Sequence, residues 1–176
     1  MAFDAGFFTR ISSHAKPAVA LGLAQYLDDA LDHYGITGKR VAYFIGQAAQ
    51  ETDGFHTLVE YASGDAYEGR KDLGNSQPGD GPRFKGRGIF QLTGRANYQR
   101  YGKLLGVDLE NHPDFAALPQ YAVLTACQYW SDHDLNALAD KDDIKGITKA
   151  INGGYNGLAD RMAYTERAKK LLKETA

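Results

Sequence analysis

Phe84-Lys85-Gly86-Arg87-Gly88-Ile89-Phe90-Gln91-Leu92-Thr93-Gly94-Arg95-Ala96-Asn97-Tyr98 interrupts a chain whose flanks carry apolar residues at helical spacing. Its start overlaps a turn-rich span, residues 63–88, holding Gly64, Gly69, Gly74, Gly79, Gly81, Gly86 and Gly88 with Pro78 and Pro82. Such punctuation predicts turns and a short β-hairpin. Towards the N-terminus, Pro17 suits a first helical turn, and Leu23, Tyr26, Leu27, Ala30, Leu31 and Tyr34 recur at helical spacing up to Gly35. A second helix is expected over residues 38–52, burying Val41, Phe44, Ile45 and Ala48 and stopping near Gly54. Beyond the run, residues 97–105, 120–130, 144–151 and 158–172 read as helices separated by Asn111-His112-Pro113, Asp132-His133-Asp134 and Gly153-Gly154. The fold class is therefore mainly α with a small turn or β-hairpin element in the middle, and no internal repeat is visible.

A length of 176 residues with 43% hydrophobic content fits one domain over residues 1–176 with one sizeable core, and two lobes around a cleft are compatible with that size. A net charge of -2 and a pI near 6.2 argue against a nucleic-acid binder. Charge is nonetheless uneven: Arg83, Lys85, Arg87, Arg95, Arg100 and Lys103 fall in a span without one acidic residue. Such a run is either a solvated face or a cationic wall for an anionic polymer. The single cysteine, Cys127, excludes an intrachain disulfide and reads as a core filler. The start, Met1-Ala2-Phe3-Asp4, lacks a basic then apolar export signal, and no apolar run reaches membrane-spanning length. Synthesis in the cytoplasm without membrane insertion is the expectation. The five histidines are scattered without a His-Glu-x-x-His, and Asp140, Asp142 and Asp143 lack the glycine of a calcium loop and read as a solvated turn. No metal or cofactor is expected, and nothing demands more than a monomer.

Glu51 and Glu60 are the acid–base candidates. Nine residues apart, they would face opposite ways on one continuous helix. A stop at Gly54 lets the following segment carry Glu60 back across a cleft from Glu51. Glu51, flanked by Ala48, Ala49 and Phe55, is expected to sit in an apolar setting that keeps it protonated as general acid. A glutamate nearer the turns would stay ionised as general base, and Glu68 competes with Glu60 for that role. Either glutamate alone could equally be a surface carboxylate.

The segment 83–98, with Gly86-Arg87-Gly88 and Gln91-Leu92-Thr93, resembles the signature of family 19 glycoside hydrolases, which include chitinases and many phage endolysins. Ala48-Ala49-Gln50-Glu51-Thr52 resembles the family's catalytic-acid motif and Ile151-Asn152-Gly153-Gly154 its Asn-Gly-Gly motif, while Asn111-His112-Pro113-Asp114 and Trp130 fall in familiar places. The likeness covers residues 41–164. It implies a lysozyme-like fold of two helical lobes around a substrate cleft, with Glu51 as acid, Glu60 as base and Thr93 helping to hold the attacking water. Gln91 and Asn97 match substrate-contacting amides, and Asn152 and Arg161 match positions lining the far side of the cleft. Lys85, Arg87 and Tyr98, from the same signature, complete the expected substrate-binding set. Plainer roles exist: Thr93 and Asn97 as helix caps, Asn152 as a turn residue, Arg161 as an ion-pair partner. One departure is Gln50, where the family commonly has His; a hydrogen-bonding side chain remains but a titratable one is lost.

The stretch 67–75 with Gly79-Asp80-Gly81 is similar to the endolysin branch. Six basic residues without acidic neighbours point the same way, because peptidoglycan carries carboxylates and chitin is neutral. The resemblance and the charge together point to an inverting muramidase acting on peptidoglycan glycan strands; steering by the basic run predicts faster lysis at low salt, and no added repeat or linker suggests a separate wall-binding module. It further implies a holin that opens the host inner membrane so that a cytoplasmic enzyme reaches the cell wall. A chitinase with the same two glutamates is the near alternative. A silent glycan-binding protein on the same scaffold and a lytic transglycosylase using one carboxylate are the others.

Overall fold

A computed structural model of the chain describes residues 3–174. Among them run α1 (Ala5–Ile11), α2 (Pro17–His33), α3 (Lys39–Glu51), the single turn α4 (Asp80–Arg83), α5 (Arg95–Leu105), α6 (Pro119–Asp132), α7 (Leu135–Asp140), α8 (Ile144–Asn152) and α9 (Leu158–Glu174). All six long helices lie where the spacing of apolar residues places them. The expected hairpin is reduced: among the described residues there is no strand, only isolated antiparallel bridges of Arg87 with Val59 and with Leu92. A strand ladder cannot propagate through a span so rich in glycine and proline. α1 escapes sequence reading because it is short, although Asp4 caps it by accepting from Phe7 N at 2.7 Å, and Phe7, Phe8 and Ile11 bury one face. α7 is likewise too short to show a period. Before it, Trp130 Nε1 donates to Asn136 at 2.9 Å, closing α6 onto α7. No helix of the described residues is long and apolar enough to cross a membrane.

Two cores hold the molecule. The larger surrounds α3, whose residues from Val41 to Ala49 are all buried, and takes in α1, α2, α6 and α9. A helix apolar on nearly every side must be covered on every side. The smaller core is Phe84, Tyr98, Tyr101, Leu109 and Ala116, and Tyr129 packs against both. The 84–98 run threads between them: Phe84 anchors the small core, Ile89 and Phe90 enter the large one, and Leu92 returns to the small one. Cys127 is fully buried, and burial pushes its thiol pKa up, as a core filler requires. Asp140, Asp142 and Asp143 are not a free solvated turn: Arg40 pairs with Asp140, Lys39 and Tyr43 engage Asp142, and Asp143 caps α8 through Gly146 N.

α3 and α9 approach too closely for a side chain at Gly46. A Cβ there would lie 2.0 Å from Thr165 Oγ1 and 2.9 Å from Thr165 N. Gly46→Ala must therefore push the helices apart, and is expected to lower unfolding stability by about 1–3 kcal/mol in urea titration. Asp80 is 2% exposed and accepts two hydrogen bonds from Arg95, which holds its carboxyl below the usual Asp range. Because the folded pKa is depressed, the stabilisation is complete above the unfolded value of about 3.9 and is lost as pH falls through the lower folded value. Asp80→Asn is expected to cost about 1–3 kcal/mol at neutral pH, by removing the more buried of the two carboxylates paired with Arg95, and to flatten the acid limb of a plot of Tm against pH.

Candidate active site

α3 ends because Thr52 Oγ1 accepts from Phe55 N at 3.0 Å while Gly54, at φ +68°, turns the chain back with its N–H on Ala49 O at 2.7 Å. A Cβ on Gly54 would strike Ser12 Oγ at 2.2 Å, so glycine is required there for space as well as for conformation. The stop leaves Glu51 in the last helical turn and lets the next segment deliver Glu60. Glu60 is tied in by its own N–H to Gly86 O at 3.0 Å. Gly86 is the pivot of this region: a Cβ would meet Gln91 Oε1 at 2.6 Å and Glu60 Oε2 at 2.7 Å, so both side chains converge on bare backbone.

The two glutamates have different surroundings. Glu51 faces a cation, where the sequence suggests an apolar wall. Arg161, 2% exposed, reaches across from α9 to donate to Glu51 Oε1, to Gln47 Oε1 at 2.6 Å and, through Nε, to Asn156 O at 3.1 Å. Asn152 Oδ1 accepts from Asn156 N at 3.3 Å, so the Asn-Gly-Gly turn is wired through Arg161 to Glu51. Arg161 thus takes the ion-pair role, at the edge of the site. Glu60 instead accepts from Tyr67 Oη at 2.9 Å on Oε2, while its Oε1 is buried without a protein partner. Burial first, and the bond to Glu60 second, push the Tyr67 phenol pKa up, so it remains a donor. Glu68 is removed from contention as a base: its two oxygens accept from Gly79 N at 2.7 Å and Gly81 N at 2.8 Å, pinning the turn that starts α4.

Gln91, Thr93 and Asn97 line one cavity of about 270 Å³ together with Leu73, Phe90, Leu92, Arg100, Tyr101, Tyr129 and His133. Gln91 adopts φ +54° with Nε2 donating to Gly88 O at 2.9 Å. Thr93 Oγ1 donates to Gln91 O at 2.9 Å and Asn97 Nδ2 to Thr93 O at 2.7 Å, so neither is a helix cap and both keep oxygens free to accept. Tyr129 joins this cavity to the acid side: burial and then the charge of Glu51 raise its pKa.

The remaining expected substrate contacts are corrected. Arg87 and Tyr98 are 7% and 0% exposed, and they hold the scaffold. Arg87 Nη1 donates to Arg83 O at 3.0 Å and to Tyr98 Oη at 3.0 Å, its Nη2 pairs with Asp114 at 2.8 Å, and Tyr98 Oη donates to Lys85 O at 2.7 Å. Burial carries the Tyr98 pKa up to about 12. Lys85 turns its ammonium to the carbonyls of Ala62 at 3.1 Å and Glu60 at 3.4 Å. The cationic wall is corrected with them, because acidic residues distant in sequence arrive in space: Asp114 at Arg87, Asp80 and Glu110 at Arg95, Asp132 at Arg100. Tyr67 and Gln47 are the partners that sequence reading missed. Gln47 had a signal, lying one helical turn before Glu51 on the same face; Tyr67 had none.

Comparison with known proteins agrees with this architecture. A Haemophilus influenzae protein described as containing a glycosyl hydrolase family 19 domain is 38% identical over 95 residues, covering 54% of this chain and 46% of that protein. An acidic 27 kDa endochitinase of Solanum lycopersicum is 35% identical over 151 residues, covering 69% of this chain and 58% of its own length. The chain therefore spans about half of the curated relatives it matches. The solved structure of chitinase C from Streptomyces griseus HUT6037 superposes with a TM-score of 0.77 at 21% identity, covering 98% of this chain and 93% of that one, which establishes a shared fold. The sequence profile of the glycoside hydrolase family 19, described as chitinase class I, matches residues 30–156, and the chain belongs to that family.

Proposed function

We propose that the protein hydrolyses the β-1,4 bonds of bacterial peptidoglycan as an inverting muramidase. The observation that carries the reaction is the contrast between the two glutamates. Glu60 has one oxygen fixed by Tyr67 and the other without a protein partner, which suits a base that takes a proton from water. Thr93, in the adjoining cavity, supplies a hydroxyl for that water, and Glu51 on the rigid helix end delivers the proton to the leaving oxygen. Glu51 must carry that proton when the bond breaks, so Arg161 acts as the group that positions it and stabilises the carboxylate left behind. Gln91 and Asn97 orient the sugar.

Support for peptidoglycan comes from the stretch 67–81, similar to the endolysin branch, which packs on the base through Tyr67 and is locked by Glu68. Chitin is the second reading, favoured by the endochitinase relatives and by the pairing of Arg87, Arg95 and Arg100, half of the basic run, with carboxylates. Under the first reading the protein acts on the wall after a holin opens the host inner membrane.

Mass spectrometry of products from purified peptidoglycan and from a chitin oligomer separates the readings. Reducing muropeptides with little chitin turnover are expected, and efficient chitin cleavage over intact peptidoglycan would reassign the substrate. Glu51→Gln and Glu60→Gln are each expected to lower kcat by about 10²–10⁴-fold. Retention of activity by Glu60→Gln with anhydro products would identify a transglycosylase. Because carboxylates pair with three of the six cations, Arg87, Arg95 and Arg100, lysis should change by less than about ten-fold as ionic strength rises from about 0.01 M to about 0.15 M, in a turbidity assay on wall fragments.

A further inference from the structure

We propose that the outer end of the cleft is a subsite for the anionic lactyl-peptide substituent of a muramic acid residue, with Arg100 as its specificity-determining contact. The inference rests on the peptidoglycan reading and names the residue that would tell that polymer from chitin. The cavity that holds Gln91, Thr93 and Asn97 continues to Arg100, Tyr129 and His133. Hydroxyls and neutral acetamides, all that chitin offers, are served by the amides and the hydroxyl at the inner end. A guanidinium in the same wall meets only neutral acceptors on chitin and a charge-matched, stronger one on a carboxylate.

Arg100 differs from the other members of the basic run. Arg83 and Lys85 donate to backbone carbonyls, and Arg87 and Arg95 are paired with side chains only 8% and 15% exposed. Lys103 lines a separate groove with Gln99, Val107 and Glu110. Arg100 alone of the six combines a side chain 56% exposed with a place in the cavity of Gln91, Thr93 and Asn97.

It is also aimed. Nη2 donates to Asp132 at 2.8 Å, and the guanidinium lies 5.5 Å from the centre of the Tyr101 ring. Asp132 is itself held by Gln128 at 2.8 Å and by Tyr101 Oη at 3.4 Å. This carboxylate offsets part of the charge, yet it occupies one of five guanidinium N–H donors and leaves the others for a ligand. Beside it, His133 stacks on Tyr129 with ring centres 3.9 Å apart. Its Nδ1 contacts Tyr129 O at 2.8 Å, and a carbonyl only accepts, so Nδ1 carries a proton and Nε2 remains for a polar substituent.

The test measures kcat/KM of wild type, Arg100→Gln and Arg100→Lys on three substrates: soluble peptidoglycan strands, the same strands with their carboxylates converted to primary amides, and a chitin oligomer. Arg100→Gln should lose about ten-fold more on native strands than on the chitin oligomer, mainly through KM, with partial recovery in Arg100→Lys. Wild type on amidated strands should show the same loss, a comparison that needs no folded variant. Equal losses on all three substrates, or full wild-type activity on amidated strands, would overturn the subsite and leave Arg100 as a partner of Asp132 only. Wild type that cleaves chitin and leaves native strands intact would instead remove the peptidoglycan reading, and the subsite with it.

Discussion

The buried guanidinium of Arg87 is the constraint on which the rest of the molecule hangs. A charge removed from water is tolerated only when its donors are met, and here Arg83 O, Tyr98 Oη and Asp114 meet them. Tyr98 can accept from Arg87 because its own proton goes to Lys85 O, and burial keeps that proton in place. Through the backbone Arg87 also pairs with Leu92, in both directions, at 3.1 and 2.8 Å. One residue thus fixes the curvature of a loop with almost no regular structure. Glu60, Gln91 and Thr93 take their positions from that loop, so the precision of the site comes from a satisfied polar centre rather than from a sheet.

The candidate pair, Glu51 and Glu60, follows from two different ways of holding a carboxylate. Glu51 rides on the most buried helix in the molecule, and Arg161 reaches it from the helix packed closest to α3. That closeness depends on Gly46, which lets α9 lie against bare backbone. Glu60 has no such helix and is held by Gly86 O and by the Tyr67 phenol. Glu51 is thereby mounted on a helix and Glu60 on a loop fixed by its polar contacts.

Helices were legible in the sequence because burial leaves a period. Leu23, Leu27, Ala30 and Leu31 of α2, and Val41, Phe44, Ile45 and Ala48 of α3, are all buried as their spacing requires. The stop at Gly54 was legible for a local reason of the same kind. Polar partnerships leave no period, and there the reading went astray. Arg87 and Tyr98 are expected as substrate contacts from the signature they belong to, and nothing local announces that Asp114 will pair with one of them. Glu68 competes with Glu60 for the base role in the sequence, and only the fold shows Gly79 and Gly81 turning their N–H groups onto Glu68.

Charge shows the limit most sharply. Counting from Arg83 to Lys103 finds six cations and no anion, yet Asp80, Glu110, Asp114 and Asp132 flank that span in sequence and fold onto it. A linear count measures what the chain could offer an anionic polymer, whereas the fold decides what it does offer. Long-range attraction summed over the run is reduced, since Arg87, Arg95 and Arg100 are paired and paired charges look neutral beyond a Debye length. On the peptidoglycan reading proposed above, discrimination between a charged and a neutral glycan therefore rests less on a diffuse field than on a cation that lines the cavity, is partly exposed and can still donate, and within this run those conditions meet at Arg100.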